Sequence, residues 1–122
     1  MNSLPATVGD IYRYVVGVDT HAATHSYAII EAPSGGLIDH STFPTSPAGL
    51  RRALGWIARR TEGDLEGVLI TAEGTGSYGA VLSDVLQQAG YRVVEAPRPR
   101  RARARSKTDA LDALLAARSS LV

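Results

Sequence analysis

Residues 13–44 read RYVVGVDTHAATHSYAIIEAPSGGLIDHSTFP, and this stretch decides the fold. Two runs rich in β-branched and aromatic residues, at 13–19 and 25–32, are typical of β-strands. Pro-Ser-Gly-Gly at 33–36 is typical of a turn and precedes a third run at 37–44. We therefore expect three successive strands, joined as an antiparallel meander, at the start of the domain.

A helix is predicted directly after the third strand. Ser46 followed by Pro47 supplies an N-cap and a proline at the first helical position. Apolar residues then recur at helical spacing on one face: Leu50, Ala53, Leu54, Ile57 and Ala58. Trp56 falls beside this stripe, so we interpret it as packing at the edge of the core and not as a platform for stacking bases.

Two parallel strands and two more helices complete the predicted order. Residues 67–73 (GVLITAE) form a continuous apolar run, which indicates a strand buried on both faces. A helix is expected from about residue 77 to residue 89 and a strand at 91–96, followed by a last helix at 107–118. The inward face of the second helix is predicted to contain Val81, Leu82, Val85, Leu86 and Ala89, with Gly90 as its stop.

The element order βββαβαβα is that of an α/β, ribonuclease-H-like fold with a mixed five-stranded sheet. A chain of 122 residues suits one such domain. We expect a short N-terminal tail at 1–11 and the domain at 12–122.

Composition narrows the classes of protein. The chain has no cysteine, which excludes disulfides and thiolate metal sites. It has no signal peptide pattern and no apolar run long enough to cross a bilayer. These features predict a soluble cytoplasmic protein with no membrane partner.

The net charge of +1 conceals a basic strip, residues 98–107, that contains six basic residues and no acidic residue. The remaining chain carries seven basic and twelve acidic residues. A concentrated strip on an acidic body indicates a nucleic-acid partner, although a solvated arginine loop explains the charge equally well. The candidate nucleic-acid-binding residues are Arg98, Arg100, Arg101, Arg103, Arg105 and Lys107.

Four acidic residues form the candidate catalytic and metal site: Asp19, Glu73, Asp109 and Asp112. The first two end predicted neighbouring strands, and the last two lie three residues apart on one helix face. Bringing carboxylates to 4 Å costs about 4 kcal/mol per pair in a partly screened site, and divalent cations relieve that repulsion. Oxygen ligands favour Mg²⁺ or Mn²⁺, and two such ions suit phosphodiester chemistry. For the Asp109 and Asp112 pair alone, a charged first helical turn is the simpler interpretation.

Other polar residues are expected outside this site. His21 and His25 follow Asp19, but histidines at a strand turn are more often surface residues or hydrogen-bonded structural ones. Asp10, Asp39 and His40 are likewise interpreted as surface positions.

A competing motif, G-x-G-x-x-G, occupies residues 74–79, with Glu95 downstream as in dinucleotide-binding proteins. Its position after a meander and the short remaining chain argue against that function. In the metal-dependent hypothesis, Gly74, Gly76 and Ser77 offer a place for a phosphate to approach the backbone. A tight turn with Ser77 as N-cap is an equally good explanation.

Three segments resemble the N-terminal, RuvC-like DEDD domain of bacterial insertion-sequence transposases, a bridge-RNA-guided family of recombinases. They are GVDTHAATHSYAII at 17–30, EGTGSYG at 73–79 and KTDALDALLAAR at 107–118. The resemblance covers about residues 14–121. It implies that Asp19, Glu73, Asp109 and Asp112 bind metal, that DNA is cut and joined in transposition, and that a guide RNA and further copies of the chain are partners.

The same family has a C-terminal domain with a serine proposed to attack DNA. We find no such domain in these residues and expect an incomplete catalytic domain. The alternative functions are a non-catalytic nucleic-acid-binding or assembly module and, less favoured, a dinucleotide-binding domain.

Overall fold

The computed structural model describes residues 11–32 and 34–96. Its elements are β1 (Tyr14–Thr20), β2 (Thr24–Glu31), β3 (Leu37–Pro44), α1 (Pro47–Arg60), β4 (Val68–Ala72), α2 (Ala80–Gln88) and β5 (Arg92–Glu95). The predicted helix at 107–118, the basic strip and most of the predicted tail at 1–11 lie outside the described residues. The domain limits therefore stay a prediction.

The five strands form one sheet in the order β3-β2-β1-β4-β5. β2 runs antiparallel to both β1 and β3, which confirms the predicted meander. β4 is parallel to β1, and β5 is parallel to β4. The sheet is therefore mixed, as expected for a ribonuclease-H-like fold.

The main core lies between one face of the sheet and the two helices. Val16 and Val18 of β1 point into this core together with buried residues of β2, β4, α1 and α2. Trp56 is 5% exposed and packs against Tyr27 and Phe43, with ring centroids 6.2 and 5.8 Å away. Trp56 is thus a core residue, which is deeper than the predicted edge position and confirms that it is no stacking platform.

Helix α1 begins as the sequence predicts. The Ser46 hydroxyl accepts a hydrogen bond from the backbone N–H of Gly49 at 3.1 Å, and Pro47 occupies the first position. An N-cap of this kind satisfies one of the backbone donors that a helix start leaves without a partner. The basic side chains of Arg59 and Arg60 lie in the last turn, where the helix dipole favours positive charge.

Helix α2 starts later than predicted, whereas its end agrees with the prediction to within one residue, with Gly90 just beyond the C-cap Ala89 at a φ of +106°. It starts at Ala80 and not near residue 77, and its N-cap Gly79 makes no side-chain capping bond. Val81 is 65% exposed, so its predicted inward position is wrong. The side chain lies about 100° around the helix axis from buried Leu82 and falls outside a stripe only two turns long. Ala89 is exposed as well, because the helix ends at Gln88.

All five residues of β4 are buried, which confirms the prediction of a strand covered on both faces. β5 is shorter than predicted and, as an edge strand, mostly exposed. None of the helices in residues 11–32 and 34–96 is long and apolar enough to span a bilayer.

Candidate active site

The structure brings the first two predicted metal ligands to the C-terminal ends of two inner strands of the sheet. β1 and β4 are parallel neighbours, and their last registered pair is Val18 with Ala72. Asp19 and Glu73 are the next residue of each chain segment. The Thr20 hydroxyl then donates a hydrogen bond of 3.0 Å to the carbonyl oxygen of Glu73 and ties the two segments together. Two acidic residues separated by 54 positions in sequence thus lie at the C-terminal ends of adjacent strands, Asp19 as the last but one residue of β1 and Glu73 directly after β4.

Asp19 lies on the sheet face opposite the two helices. Side chains alternate along a strand, and its neighbour Val18 points into the helix-covered core. The opposite face is also buried at Val15, Ala28 and Leu69. Asp19 itself is 6% exposed, which is unusual for a carboxylate and requires polar partners.

His21 provides one of those partners. Its ring Nε2 lies 2.9 Å from Oδ2 of Asp19, and because a carboxylate only accepts, Nε2 carries the proton of this hydrogen bond. The His21 side chain is 47% exposed, whereas that of Asp19 is 9% exposed. His21 is thus a hydrogen-bonded residue, one of the two roles expected for it from sequence, and its partner is a predicted metal ligand.

His25 supports His21 from the next strand. Its Nδ1 accepts a hydrogen bond of 3.3 Å from the backbone N–H of His21. Burial lowers the pKa of His25, and the nearby His21 lowers it further. The buried ring therefore favours its neutral form, which keeps Nδ1 available as an acceptor. The prediction of a hydrogen-bonded structural histidine is confirmed for His25.

The glycine-rich segment folds into a compact turn between β4 and α2. Gly74 has a φ of +64°, a conformation that residues with a side chain rarely adopt. Its carbonyl oxygen accepts hydrogen bonds from the backbone N–H groups of Ser77 at 2.9 Å and Gly79 at 2.8 Å. A Cβ on Gly79 would lie 2.9 Å from the Glu73 carbonyl oxygen. The glycines therefore shape the backbone that follows Glu73.

A side-chain hydrogen bond joins the glycine-rich turn to the end of β5. Glu95, the residue expected to contact a ribose, accepts a hydrogen bond from the Thr75 hydroxyl. The segment is a tight turn, as one interpretation of the sequence expects. Ser77 lies within the turn and does not cap α2, so its predicted role as an N-cap is wrong. Gly76 and Ser77 are exposed, and a phosphate approach at Gly74, Gly76 and Ser77 stays a prediction.

Carboxylate oxygens are the donors that Mg²⁺ and Mn²⁺ prefer, so Asp19 and Glu73 suit these ions. Within residues 11–32 and 34–96 there is no group of three side chains able to hold a metal ion. Asp109, Asp112 and the basic strip lie outside the described residues. The described part of the chain thus accounts for two of the four predicted ligands.

Asp39, which the sequence predicts to be a surface position, pairs with a basic side chain. Oδ2 of Asp39 lies 2.7 Å from Nε of Arg60, and this contact holds the pKa of Asp39 below its usual value. His40 beside it is exposed. Both confirm the prediction from sequence.

Sequence reasoning missed the contacts of Thr20 and His21. The only signal for His21 was its position two residues after Asp19, just beyond the end of β1. The Thr20 bond to Glu73 depends on strand order, which no local pattern encodes.

Comparisons with known proteins give one family and a fold. A family model for DEDD transposases of the IS110 type, described as "Transposase", matches residues 16–121. No curated protein matches the sequence.

Two solved structures resemble the chain. A Bacteroides thetaiotaomicron protein with an actin-like ATPase fold and unknown function shares 17% identity at a TM-score of 0.54, over 68% of this chain and 32% of that one. The large terminase nuclease from the thermophilic phage G20c shares 14% identity at a TM-score of 0.49, over 71% of this chain and 47% of the nuclease. The chain thus spans half or less of the length of these proteins. At this identity the first likeness concerns the fold alone, and it agrees with a ribonuclease-H-like sheet.

Proposed function

The chain belongs to the IS110 family of DEDD transposases, and we propose that it is a catalytic domain whose Asp19 and Glu73 bind divalent metal for cutting and joining DNA. One observation carries the proposal: the parallel register of β1 and β4 leads directly to these two residues at adjacent strand ends.

The hydrogen bond from Thr20 supports a positioning role for that residue. It fixes the backbone of Glu73 next to the end of β1. His21 holds one carboxylate oxygen of Asp19, which limits the rotation of the side chain. Contacts of this kind keep metal ligands in a fixed orientation and raise affinity.

Asp109 and Asp112 supply the remaining ligands in this proposal, as the resemblance to the family implies. Four carboxylates in one cleft repel each other, so the site takes up Mg²⁺ or Mn²⁺, with two ions as the favoured number. When bound, such ions stabilise the attacking and leaving oxygens of a phosphodiester substrate.

The partners belong to the same proposal. DNA is the substrate, a guide RNA is a second nucleic acid, and copies of the chain associate with each other. The six basic residues between Arg98 and Lys107 offer charge for either nucleic acid. The activity of the whole transposase requires its further domain, in line with the family resemblance.

The metal site is tested by titrating Mg²⁺ or Mn²⁺ into the protein in a calorimeter. We expect Asp19→Asn to weaken binding at least about tenfold, since even residues that only support a ligand change affinity by that amount. Asp39→Asn is the matched control, because it removes a carboxylate that pairs with Arg60, and it should bind as the wild type does. Equal affinity in wild type and Asp19→Asn would contradict the proposal and favour a non-catalytic nucleic-acid-binding module.

A further inference from the structure

Helix α1 carries four arginines and no acidic residue. Arg60 pairs with Asp39 and stacks over the Trp56 ring, its guanidinium carbon 5.3 Å from the ring centroid. The other three, Arg51, Arg52 and Arg59, are exposed, and in the described part of the chain none of them has an ion pair. An uncompensated cluster of three positive charges on one helix attracts a polyanion.

These three arginines line one groove of about 460 Å³ on the outer side of α1, beside strand β3. The residues that line it are Phe43, Ala48, Arg51, Arg52, Gly55 and Arg59. Each of the five helical residues has another of them three or four positions away, so they share one side of the helix. That side is turned away from the buried residues Leu50, Ala53 and Ile57.

Two of the lining residues, Ala48 and Gly55, are small and leave the floor of the groove open. A Cβ on Gly55 would lie 3.2 Å from Nη1 of Arg59, so the guanidinium extends over the glycine. Glycine within a helix costs about 0.5–1 kcal/mol relative to alanine. The residue therefore weakens the helix while it keeps space between the arginines.

Hydrogen bonds join the segment just before α1 to the turn that follows β1, at the end of the sheet that carries Asp19 and Glu73. The backbone N–H of Thr45 donates a hydrogen bond of 3.0 Å to the carbonyl oxygen of Ala23. The Thr45 hydroxyl donates one of 3.1 Å to the carbonyl oxygen of Ala22. Ala22 and Ala23 lie in the turn that follows β1 and Asp19. The start of α1 and the candidate metal site are consequently at the same end of the sheet.

We propose that this groove binds the phosphodiester backbone of duplex DNA, with Arg51, Arg52 and Arg59 contacting phosphates. Arginine suits this role because its planar fork binds phosphate oxygens through two parallel hydrogen bonds. Arg52 and Arg59 are about 10.5 Å apart along the helix axis, so they contact different phosphates. The arginines themselves indicate a ligand that carries phosphates. That this ligand is DNA rests on the proposed function.

The test measures binding of a duplex oligonucleotide as a function of salt, in EDTA so that the metal site has no influence. The variant is Arg52→Gln with Arg59→Gln. The matched control is Arg13→Gln with Arg60→Gln, which loses the same charge from arginines that pair with carboxylates. Each lost phosphate contact lowers the slope of log affinity against log salt by about 0.9.

We expect the variant slope to fall by about two while the control keeps the wild-type slope. The wild type then loses about tenfold more affinity than the variant between 50 and 200 mM salt. An unchanged variant slope, or an equal change in the control, would overturn the proposal. So would a loss confined to an RNA oligonucleotide of the same length, because it assigns the groove to RNA.

A second variant, Gly55→Leu, fills the floor without changing charge. Leucine is a much better helix former than glycine, so urea unfolding should show stability equal to or above that of the wild type. DNA affinity should nevertheless fall several-fold. Undiminished affinity in this folded variant would contradict a role for the groove. Because both measurements are made without metal, their failure is distinct from failure of the metal site.

Discussion

Asp19, a proposed metal ligand, is a buried acid with a polar partner. Its side chain is 9% exposed and accepts a hydrogen bond from His21, which is itself supported by His25. A buried carboxylate is costly unless its oxygens are occupied by donors or cations. The short chain of contacts from His25 through His21 to Asp19 fixes the end of β1 at the place where the proposed metal binds.

The neutral state of His25 makes stability depend on pH. Burial lowers its folded pKa below the unfolded value of about 6.5, so the unfolded state binds more protons at mildly acidic pH. The stabilisation is complete above the unfolded pKa and is lost as the pH falls below it. We expect the free energy of unfolding in urea to decrease between pH 7.5 and 5.5.

Two variants separate this effect from the general response to acid. His25→Gln should show a flatter pH dependence, since it removes the group that takes up the proton. His40→Gln, at an exposed site next to Asp39, should keep the wild-type dependence. A wild-type profile in His25→Gln would show that another group is responsible.

At the scale of elements, the turn between β4 and α2 has glycines that differ in their tolerance of an added Cβ. A Cβ on Gly79 would lie 2.9 Å from the Glu73 carbonyl oxygen and 3.2 Å from Cγ2 of Thr20, whereas one on Gly76 would meet nothing within 4 Å. We predict that Gly79→Ala costs roughly 1–3 kcal/mol of stability and weakens metal binding. Gly76→Ala should stay within about 0.5 kcal/mol of the wild type. Urea unfolding and calorimetry of the two variants check this, and similar values for both would contradict the described turn.

The two predicted N-caps give a further contrast between elements. Ser46 caps α1 through the Gly49 N–H at 3.1 Å, and Ser46→Ala should cost about 1 kcal/mol. Ser77 makes only a weak 3.4 Å hydrogen bond to the Gly74 carbonyl, and Ser77→Ala should change stability by less than about 0.5 kcal/mol. Chemical denaturation at neutral pH measures both values. A larger loss for Ser77→Ala than for Ser46→Ala would mean that α2 begins earlier than the structure indicates.

The same contrast explains which elements could be predicted. The strands and α1 follow from local patterns: apolar runs, turn residues and a capping serine. The start of α2 does not, because Gly74 accepts two backbone hydrogen bonds that close a turn over residues that otherwise suit a helix. The hydrogen bond between His21 and Asp19 was missed because sequence alone does not show which polar neighbours share a buried environment.

At the scale of the whole described fold, residues 11–32 and 34–96, the mixed sheet separates the two proposed sites in space. Both helices pack on one face, the carboxylate Asp19 lies on the other, and the arginine groove follows the outer side of α1. Strand order, and not sequence proximity, brings Asp19 beside Glu73. The sequence predicted Asp19 and Glu73 at the ends of neighbouring strands, and the parallel pairing of β1 with β4 agrees with that placement, whereas the hydrogen bonds around the two residues could not be predicted.

The central claim, that Asp19 and Glu73 bind divalent metal at the end of the sheet, is tested most directly by adding Mn²⁺ to isotope-labelled protein and recording amide signals by NMR. Paramagnetic broadening falls steeply with distance. Tyr14 and Val68, registered partners at the opposite end, lie about 17 Å from the site at the rise of a β-strand. The account predicts that substoichiometric Mn²⁺ broadens the amides of Thr20 and Gly74 first and leaves those of Tyr14 and Val68 sharp. Broadening that is strongest elsewhere, or uniform along β1 and β4, would contradict it.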